Sequence, residues 1–173
     1  MNKQSRKFFF FILALGLTPA CLITDQLNIP PLESIPGEHV RIAIEDRAIA
    51  GYYWGIFGYC THFSDRSACM TDTKGAMMEG FFYIGKLSGS YNPARSKTYY
   101  RQKSVDDCLE SIFNYGHLFT YGRLHREASC NGSVCHPDRS AIVEAGQLLP
   151  RFVIPTCQLL PTGKVVSLSP LNL

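Results

Sequence analysis

The first twenty-one residues decide which part of this chain folds and in which compartment it folds. Basic residues at positions 3, 6 and 7 are followed by an uncharged apolar run, FFFFILALGLTPA, from Phe8 to Ala20. A membrane-spanning helix needs about 20 apolar residues, whereas a basic head, a shorter apolar run and a small-residue exit are typical of a secretory signal. We therefore predict a signal peptide over residues 1–20 and an exported protein that begins at Cys21.

The end of the leader, Thr18-Pro19-Ala20-Cys21, resembles the lipobox of bacterial lipoproteins. The resemblance covers the leader alone. It implies that Cys21 is diacylated and anchors the protein to a lipid bilayer, and Leu22 after it implies sorting to the outer membrane, with the domain on the periplasmic face. The alternative is ordinary cleavage after Ala20, which would give a secreted or soluble periplasmic protein with a thiol at Cys21.

The cysteine count favours the lipidated form. The chain has seven cysteines, at positions 21, 60, 69, 108, 130, 135 and 157. Acylation of Cys21 would leave an even set that can close disulfides in an oxidising compartment, without a thiol left over. The sequence does not determine which cysteines pair. We expect the local pairs Cys60–Cys69 and Cys130–Cys135, and Cys108–Cys157 as the pair that then ties the main helix to the C-terminal region.

Charge argues against one broad class of partner. The net charge of +3 resides in the leader, because removing its three basic residues leaves 14 basic and 14 acidic residues. A nucleic-acid binder needs a surplus of basic residues, so we expect no nucleic-acid partner. The remaining chain of roughly 150 residues suits one domain. We predict a proline-containing tether over residues 21–37 and a single globular domain over residues 38–173.

Alternating apolar residues indicate a sheet. Val40, Ile42 and Ile44 alternate with polar or small residues, which predicts a half-buried strand over residues 39–46. Polar residues predict a loop over 61–80. Further strand-like runs span residues 51–60, 81–87, 151–160 and 164–168.

The main helix is predicted to begin at Ser104, an N-cap residue with carboxylates in the following turn. Cys108 and Ile112 fall at helical spacing on its buried face, and residues 137–149 suit a second, short helix. For residues 117–126 the pattern leaves helix and strand open. We expect an α+β domain, with a small antiparallel sheet of roughly four to five strands, one main helix packed on it, and disulfide staples.

Two stretches are candidate contact surfaces. The aromatic stretch at 51–60 contains Tyr52, Tyr53, Trp54 and Tyr59, which form either an exposed platform for a partner or, as we favour, part of the core. Between Gly80 and Val105 there is no acidic residue. The basic residues of this second stretch are Lys86, Arg95, Lys97, Arg101 and Lys103. They would meet anionic head groups, lipopolysaccharide or an acidic partner, or else form a solvated hairpin balanced by acids elsewhere.

The sequence contains few residues arranged for chemistry. Cys60-x-His62 and Cys135-His136 lack the repeated short ligand spacings of zinc sites, so we predict no metal and no cofactor. No serine-hydrolase elbow, metalloprotease motif or phosphate-binding glycine loop occurs. Asn131-Gly132-Ser133 matches a glycosylation sequon, which matters only for a eukaryotic secreted protein.

The sequence is thus most consistent with an exported, membrane-tethered lipoprotein that acts as a non-catalytic binding module. Its partner would be a protein or an envelope polymer, in the role of an inhibitor or immunity protein or of an accessory to an envelope assembly. The alternative is a secreted hydrolase acting on peptidoglycan or a small ester, with His62 or His117 as the base. A buried histidine beside a carboxylate in a cleft would favour the hydrolase, and an exposed aromatic face would favour the binder.

Overall fold

Four long helices dominate the computed structural model, which describes residues 33–127, 129–131, 134–136 and 138–164. The helices are α1 (Gly37–Cys60), α2 (Arg66–Tyr91), α3 (Gln102–Glu127) and α4 (Arg139–Phe152), with a 3₁₀ turn over Ile154–Thr156. Strands β1 (Ser34–Pro36), β2 (Thr98–Arg101) and β5 (Pro161–Lys164) form an antiparallel sheet in the order β1-β2-β5, and β3 (Ser129–Asn131) pairs with β4 (Val134–His136). The predicted signal peptide, Cys21, most of the predicted tether and most of the strand predicted over 164–168 lie outside the described residues. No helix within the described ranges has the length and apolar character needed to cross a membrane.

The prediction of an α+β domain with four to five strands and one main helix is wrong. Helices occupy the strands predicted over 39–46, 51–60 and 81–87, as well as most of the predicted loop 61–80. Val40 and Ile44 are four residues apart, which is two repeats of a strand and about one turn of a helix. They would therefore lie on one face in either structure. The exposure of Ile42 and Ala48 distinguishes helix from strand, since Ile42 is 58% exposed whereas Val40, Ile44 and Ala48 are fully buried.

Glycines that resembled strand or bend residues are contact points between helices. A Cβ atom on Gly51 would lie 2.8 Å from the carbonyl oxygen of Phe113, and one on Gly55 would lie 2.5 Å from Cβ of Thr120. Both glycines therefore let the backbone of α1 approach α3 more closely than any side chain would allow. This close packing offsets the low helix propensity of glycine, which costs about 1 kcal/mol per residue relative to alanine.

The helices alternate in direction between two ends of the molecule. β1 leads directly into α1 and β2 directly into α3, so both helices start at the three-stranded sheet. They run parallel, because Gly51 faces Phe113 and Gly58 faces Tyr121 further along both helices. α2 and α4 return towards the sheet, with Gly80 against Gly146. We call these two ends the sheet end and the far end; the far end contains the loop over 61–65.

Tyr52 joins three of the four helices. It is fully buried on α1, and its ring occupies the space beside Gly80 of α2, where a Cβ atom would collide with the phenol. Its hydroxyl donates a hydrogen bond of 2.8 Å to the carbonyl oxygen of Ile142 on α4. A Cβ atom on Gly146 would lie 2.5 Å from Cα of Gly80, so α2 and α4 also meet backbone to backbone.

The helix expected from Ser104 is present but longer at both ends. α3 begins at Gln102 and continues through Gly116 and the undecided residues 117–126. Ser104 does not cap it: its hydroxyl donates to the carbonyl oxygen of Arg101 at 2.9 Å and accepts from the backbone N–H of Leu160 at 3.1 Å. Ser104 thus connects the start of α3 to the segment before β5.

The remaining C-terminal elements match the expectations in part. The short helix expected over 137–149 is α4, capped by Asp138, whose carboxylate accepts from the backbone N–H of Ser140 at 2.8 Å. The strand expected over 151–160 is wrong, because the end of α4 and the 3₁₀ turn occupy the first half of it.

Two disulfides crosslink the described part of the chain. Cys60–Cys69 joins the end of α1 to the start of α2, and Cys108–Cys157 joins α3 to the segment after the 3₁₀ turn. Both are pairs that we expected from the sequence. Cys130 and Cys135 face each other in the register of β3 and β4, but their side chains lie outside the described residues.

Replacing Gly80 by Ala should destabilise the domain by about 1–3 kcal/mol, because the added methyl group overpacks the contact with Tyr52. Gly89→Ala is the matched control on the same helix, since an added Cβ there meets nothing within 4 Å. That variant should be stabilised by about 0.5–1 kcal/mol through higher helix propensity. Urea unfolding without reductant measures both changes, and two shifts of the same sign would contradict the role assigned to Gly80.

Removing the two disulfides should have unequal effects. Cys108→Ser with Cys157→Ser opens a crosslink of sequence separation 49, whereas Cys60→Ser with Cys69→Ser opens one of separation 9. Loop-closure entropy predicts losses of about 4 and about 2.5 kcal/mol, respectively, in the free energy of unfolding. Thermal unfolding of both double variants tests this order, which a larger loss from the shorter loop would refute.

Candidate binding surface

The structure divides the aromatic stretch between the core and the surface. Tyr52 and Tyr59 are 0% and 3% exposed, whereas Trp54 is 47% exposed and Tyr53 is partly exposed. Residues 52 and 59 lie on the same side of α1 because seven residues make about two helical turns. The expectation that this aromatic stretch belongs to the core is therefore right for Tyr52 and Tyr59 and wrong for Trp54.

The exposed Trp54 forms a cluster with the partly exposed Tyr53 and Phe57 and with Arg66, and we call these four residues the α1 patch. The ring centroids of Trp54 and Phe57 are 5.1 Å apart, and those of Tyr53 and Phe57 are 6.4 Å apart. The guanidinium carbon of Arg66, at the start of α2, lies 5.1 Å from the centre of the Phe57 ring. Arg66 was not predicted from the sequence, because only the reversal of the chain after α1 brings this residue back onto α1.

Histidines and a tyrosine lie beside the α1 patch. Nε2 of His62 and the hydroxyl of Tyr121 are 2.8 Å apart in a hydrogen bond whose donor depends on the histidine tautomer. His117 and His125 lie one helical turn before and after Tyr121 on α3. His117 borders Gly58, where an added Cβ would lie 3.3 Å from its Nε2. A row of imidazole and phenol groups thus runs along α3 next to α1.

This row does not resemble a hydrolytic or metal site. The hydrogen bond of His62 goes to a phenol, and within the described ranges no histidine side chain is hydrogen-bonded or ion-paired to a carboxylate. The same ranges contain no group of three or more histidine, cysteine or acidic side chains placed to hold a metal ion. The hydrolase hypothesis, with His62 or His117 as base, gains no support from this geometry.

Two surface depressions formed by described residues lack the histidines that the hydrolase hypothesis requires. Two open depressions of about 270 and 330 Å³ lie towards the sheet end, at the lower limit of ligand pockets. The first is lined by Glu38, Arg41, Ile42, Glu45, Ser88, Gly89 and Asn92, and the second by Ser104, Asp107, Cys108, Ser111, Thr156, Gln158 and Leu160. Neither lining includes a histidine.

A second apolar surface, which we call the α3–α4 patch, was not predicted. It consists of Tyr115, Leu118, Phe119 and Phe152. The rings of Phe119 and Phe152 are stacked with centroids 6.1 Å apart, and Leu118 and Phe152 are 62% and 54% exposed. The guanidinium carbon of Arg151 lies 5.6 Å from the centre of the Phe152 ring. Helical spacing of residues 115, 118 and 119 could have indicated this surface.

The structure separates the predicted basic stretch. Lys86 lies on α2 with its amine 5.9 Å from the centre of the Phe82 ring, and Lys103 forms an ion pair of 3.2 Å with Asp107 within α3. Arg95, Lys97 and Arg101 are exposed in the connection between α2 and α3. We call these three the sheet-end cations.

Burial determines the electrostatics of the two core tyrosines. Burial raises the pKa of Tyr52 far above its usual range, and the nearby carboxylate of Glu79 adds to the effect. Burial, and then the negative charge of Asp138, raises the pKa of Tyr59. Hydrogen bonds from the hydroxyl and backbone N–H of Ser140 lower the pKa of Asp138. Tyr52 and Tyr59 are therefore neutral core residues rather than binding residues.

The raised pKa of Tyr52 predicts a loss of stability in alkali. In the unfolded chain Tyr52 releases its proton near pH 10, whereas in the folded chain it keeps the proton to higher pH. The contribution of Tyr52 to the free energy of unfolding is therefore complete below about pH 10 and declines as the pH rises further. Tyr52→Phe should lower the free energy of unfolding by about 1 kcal/mol at pH 8 through the lost hydrogen bond. Above pH 10 the stability of this variant should decline less steeply than that of the unchanged protein. Brief urea titrations between pH 8 and 11 measure both effects, and identical slopes in the two proteins would contradict the assignment.

Comparison with known proteins assigns no family to this fold. The chain matches no protein family model, no curated protein and no solved structure. Its function is therefore inferred from its residues and their geometry.

Proposed function

We propose that this protein is an exported, lipid-anchored binding module of the outer membrane, attached through Cys21 on the periplasmic face, which contacts a protein or an envelope polymer through the α1 patch. The observation that carries the proposal is the exposure of Trp54, at 47%, within a cluster of aromatic rings on a helix. Its role is non-catalytic.

The composition of the α1 patch supports a role in binding. Tryptophan, tyrosine and arginine dominate the energetically important positions of protein interfaces. Trp54, Tyr53 and Arg66 supply all three types, and the contacts with Phe57 hold the rings and the guanidinium against one another. Such preorganised side chains lose little rotational freedom when a partner binds. Aromatic faces with polar edges suit both protein surfaces and sugar rings.

The cysteines support the proposed location. Two disulfides in the described ranges are typical of proteins that fold in an oxidising compartment. They use four of the seven cysteines, and Cys130 and Cys135 oppose each other across β3 and β4. Cys21 is then the cysteine left over, which is the position that the lipobox-like leader marks for acylation.

The test is site-specific photo-crosslinking in cells, with the crosslinking residue at position 54, at Phe82 or at Leu118. Phe82 is the matched control, because it is 63% exposed on the outer side of α2 and belongs to neither patch. We expect one discrete crosslinked species from position 54 and none from position 82. With the crosslinking residue at position 54, Tyr53→Ala and Arg66→Ala should each weaken recovery of that species about tenfold or more, and Phe82→Ala should not.

The outcomes distinguish the candidate surfaces. A discrete species from position 118 alone would move the contact to the α3–α4 patch. No discrete species from positions 54 and 118, with the variants folded by circular dichroism, would refute a binding role for both patches.

A further inference from the structure

We propose that the solvent face of α3 pairs with α3 of a second copy of this chain, in an antiparallel arrangement about a two-fold axis through Leu118. The proposal gives the α3–α4 patch an occupant. It goes beyond the proposed function and depends neither on the α1 patch nor on the lipid anchor, because every residue that carries it lies on α3 and at the end of α4.

The middle of α3 is uncharged although much of it faces solvent. Residues 111–122 contain no aspartate, glutamate, lysine or arginine. Leu118 is 62% exposed in this stretch, and Tyr115, one helical turn before it, is 55% exposed. The solvent face of a helix in a globular protein is normally charged or polar. An apolar face of this kind is typical of a contact with another molecule.

Opposite charges flank the uncharged stretch. Three acids precede it and two arginines follow it: Asp106, Asp107, Glu110, Arg123 and Arg126. Two charges of α3 do not follow this division, Lys103 near its start and Glu127 at its end. Lys103 pairs with Asp107 within the helix, at 3.2 Å. Two helices with acids in the first half and arginines in the second place unlike charges together when antiparallel and like charges together when parallel.

Two of these charges have no partner and are placed symmetrically. Glu110 and Arg126 are both exposed, and each lies eight residues from Leu118 on α3. Neither forms an ion pair or a side-chain hydrogen bond within the described ranges. A two-fold axis through Leu118 places Glu110 of each copy opposite Arg126 of the other, so the same ion pair forms twice.

The spacing of the exposed residues suits helix packing. Residues 110, 114, 118, 122 and 126 are four apart, and all five are exposed. Rows of this spacing on two helices pack into each other when the helices cross at about 50°. The two-fold axis also places Asn114 opposite Gly122. An added Cβ on Gly122 would meet nothing within 4 Å, so no contact within the described structure requires a glycine there, whereas close approach of a second α3 would.

The size of this surface predicts a weak dimer. The row from residue 110 to residue 126 is about 24 Å long, and the stacked rings of Phe119 and Phe152 widen the apolar surface on the α4 side. A contact of this length buries about 1,200 Å² or less in total, which is the size of weak and transient protein pairs. We therefore expect a reversible dimer with a dissociation constant in the micromolar range.

The test is photo-crosslinking between two copies of the full chain that carry different peptide tags and are produced in the same cells. The crosslinking residue replaces Leu118 or, as the matched control, Phe82, which is 63% exposed on α2 and belongs to neither patch. We expect position 118 to give a species with the mass of two chains and both tags, and position 82 to give none. A crosslinking residue at position 114 should react near residue 122 of the other copy, as located by peptide mass spectrometry.

Charge exchange tests the direction of the two helices. Glu110→Arg alone, or Arg126→Glu alone, opposes like charges at both ends of the row, and each should lower the yield of the double-tagged species about tenfold or more. Production of one Glu110→Arg copy with one Arg126→Glu copy opposes unlike charges again and should restore that yield, which also shows that both variants fold. Lys74→Glu reverses an exposed charge on α2 and should leave the yield unchanged.

A product from position 118 with the mass of one chain would overturn the proposal, because a segment of the same chain would then cover the face. A product of any other mass would assign the face to a different protein. Failure of the two exchanged copies to restore the yield would refute the antiparallel pairing, as would a crosslink from position 114 to the same position of the other copy. The α1 patch is tested separately at position 54, so the failure of either proposal leaves the other standing.

Discussion

The position of Tyr52 is the constraint on which the arrangement of the helices depends. A buried phenol needs an acceptor for its proton, and the carbonyl oxygen of Ile142 on α4 supplies it. The ring can reach that carbonyl only because Gly80 leaves space on α2, and α4 is close enough only because Gly146 meets the backbone of Gly80. One aromatic side chain and two glycines thus fix three helices relative to one another, and the same arrangement gives the buried hydroxyl its hydrogen-bond acceptor.

The sequence predicted the crosslinks better than the secondary structure. Two expected cysteine pairs are present: Cys60–Cys69 was expected as a local pair, and Cys108–Cys157 as the pair that remained after the two local ones. The strands failed for a physical reason. In α1, glycines at 51 and 55 serve contacts that appear only when α3 is in place, and the exposed Ile42 and Trp54 obscure the helical period of the buried residues. The same limit applies to the α1 patch. Trp54 and Tyr53 were recognisable as candidates, but Arg66 was not, since its contact with Phe57 depends on the reversal between α1 and α2.

The alternating helices give the molecule two chemically different ends. Charged side chains in the connection to β2 lie beside the strand through which the chain enters the fold. Aromatic side chains and the histidine row, including the His62–Tyr121 hydrogen bond, lie towards the opposite end. Because α1 runs between these ends without interruption, the two ends are held at a fixed separation.

The two disulfides of the described residues leave the chain in two halves that neither of them joins. Cys60–Cys69 lies entirely within α1 and α2, and Cys108–Cys157 lies entirely in the region that begins with α3. A protease that cut between Cys60 and Cys69, or between Cys108 and Cys157, would leave its products crosslinked. A cut in the connection over 92–97 would instead give two chains held together by non-covalent contacts alone, among them β1 on β2 and the contacts of Tyr52, Gly51 and Gly80 across the interface. This connection is therefore the natural position for fragment complementation, in which the two helical hairpins, each with its own disulfide, would reassemble from separate polypeptides.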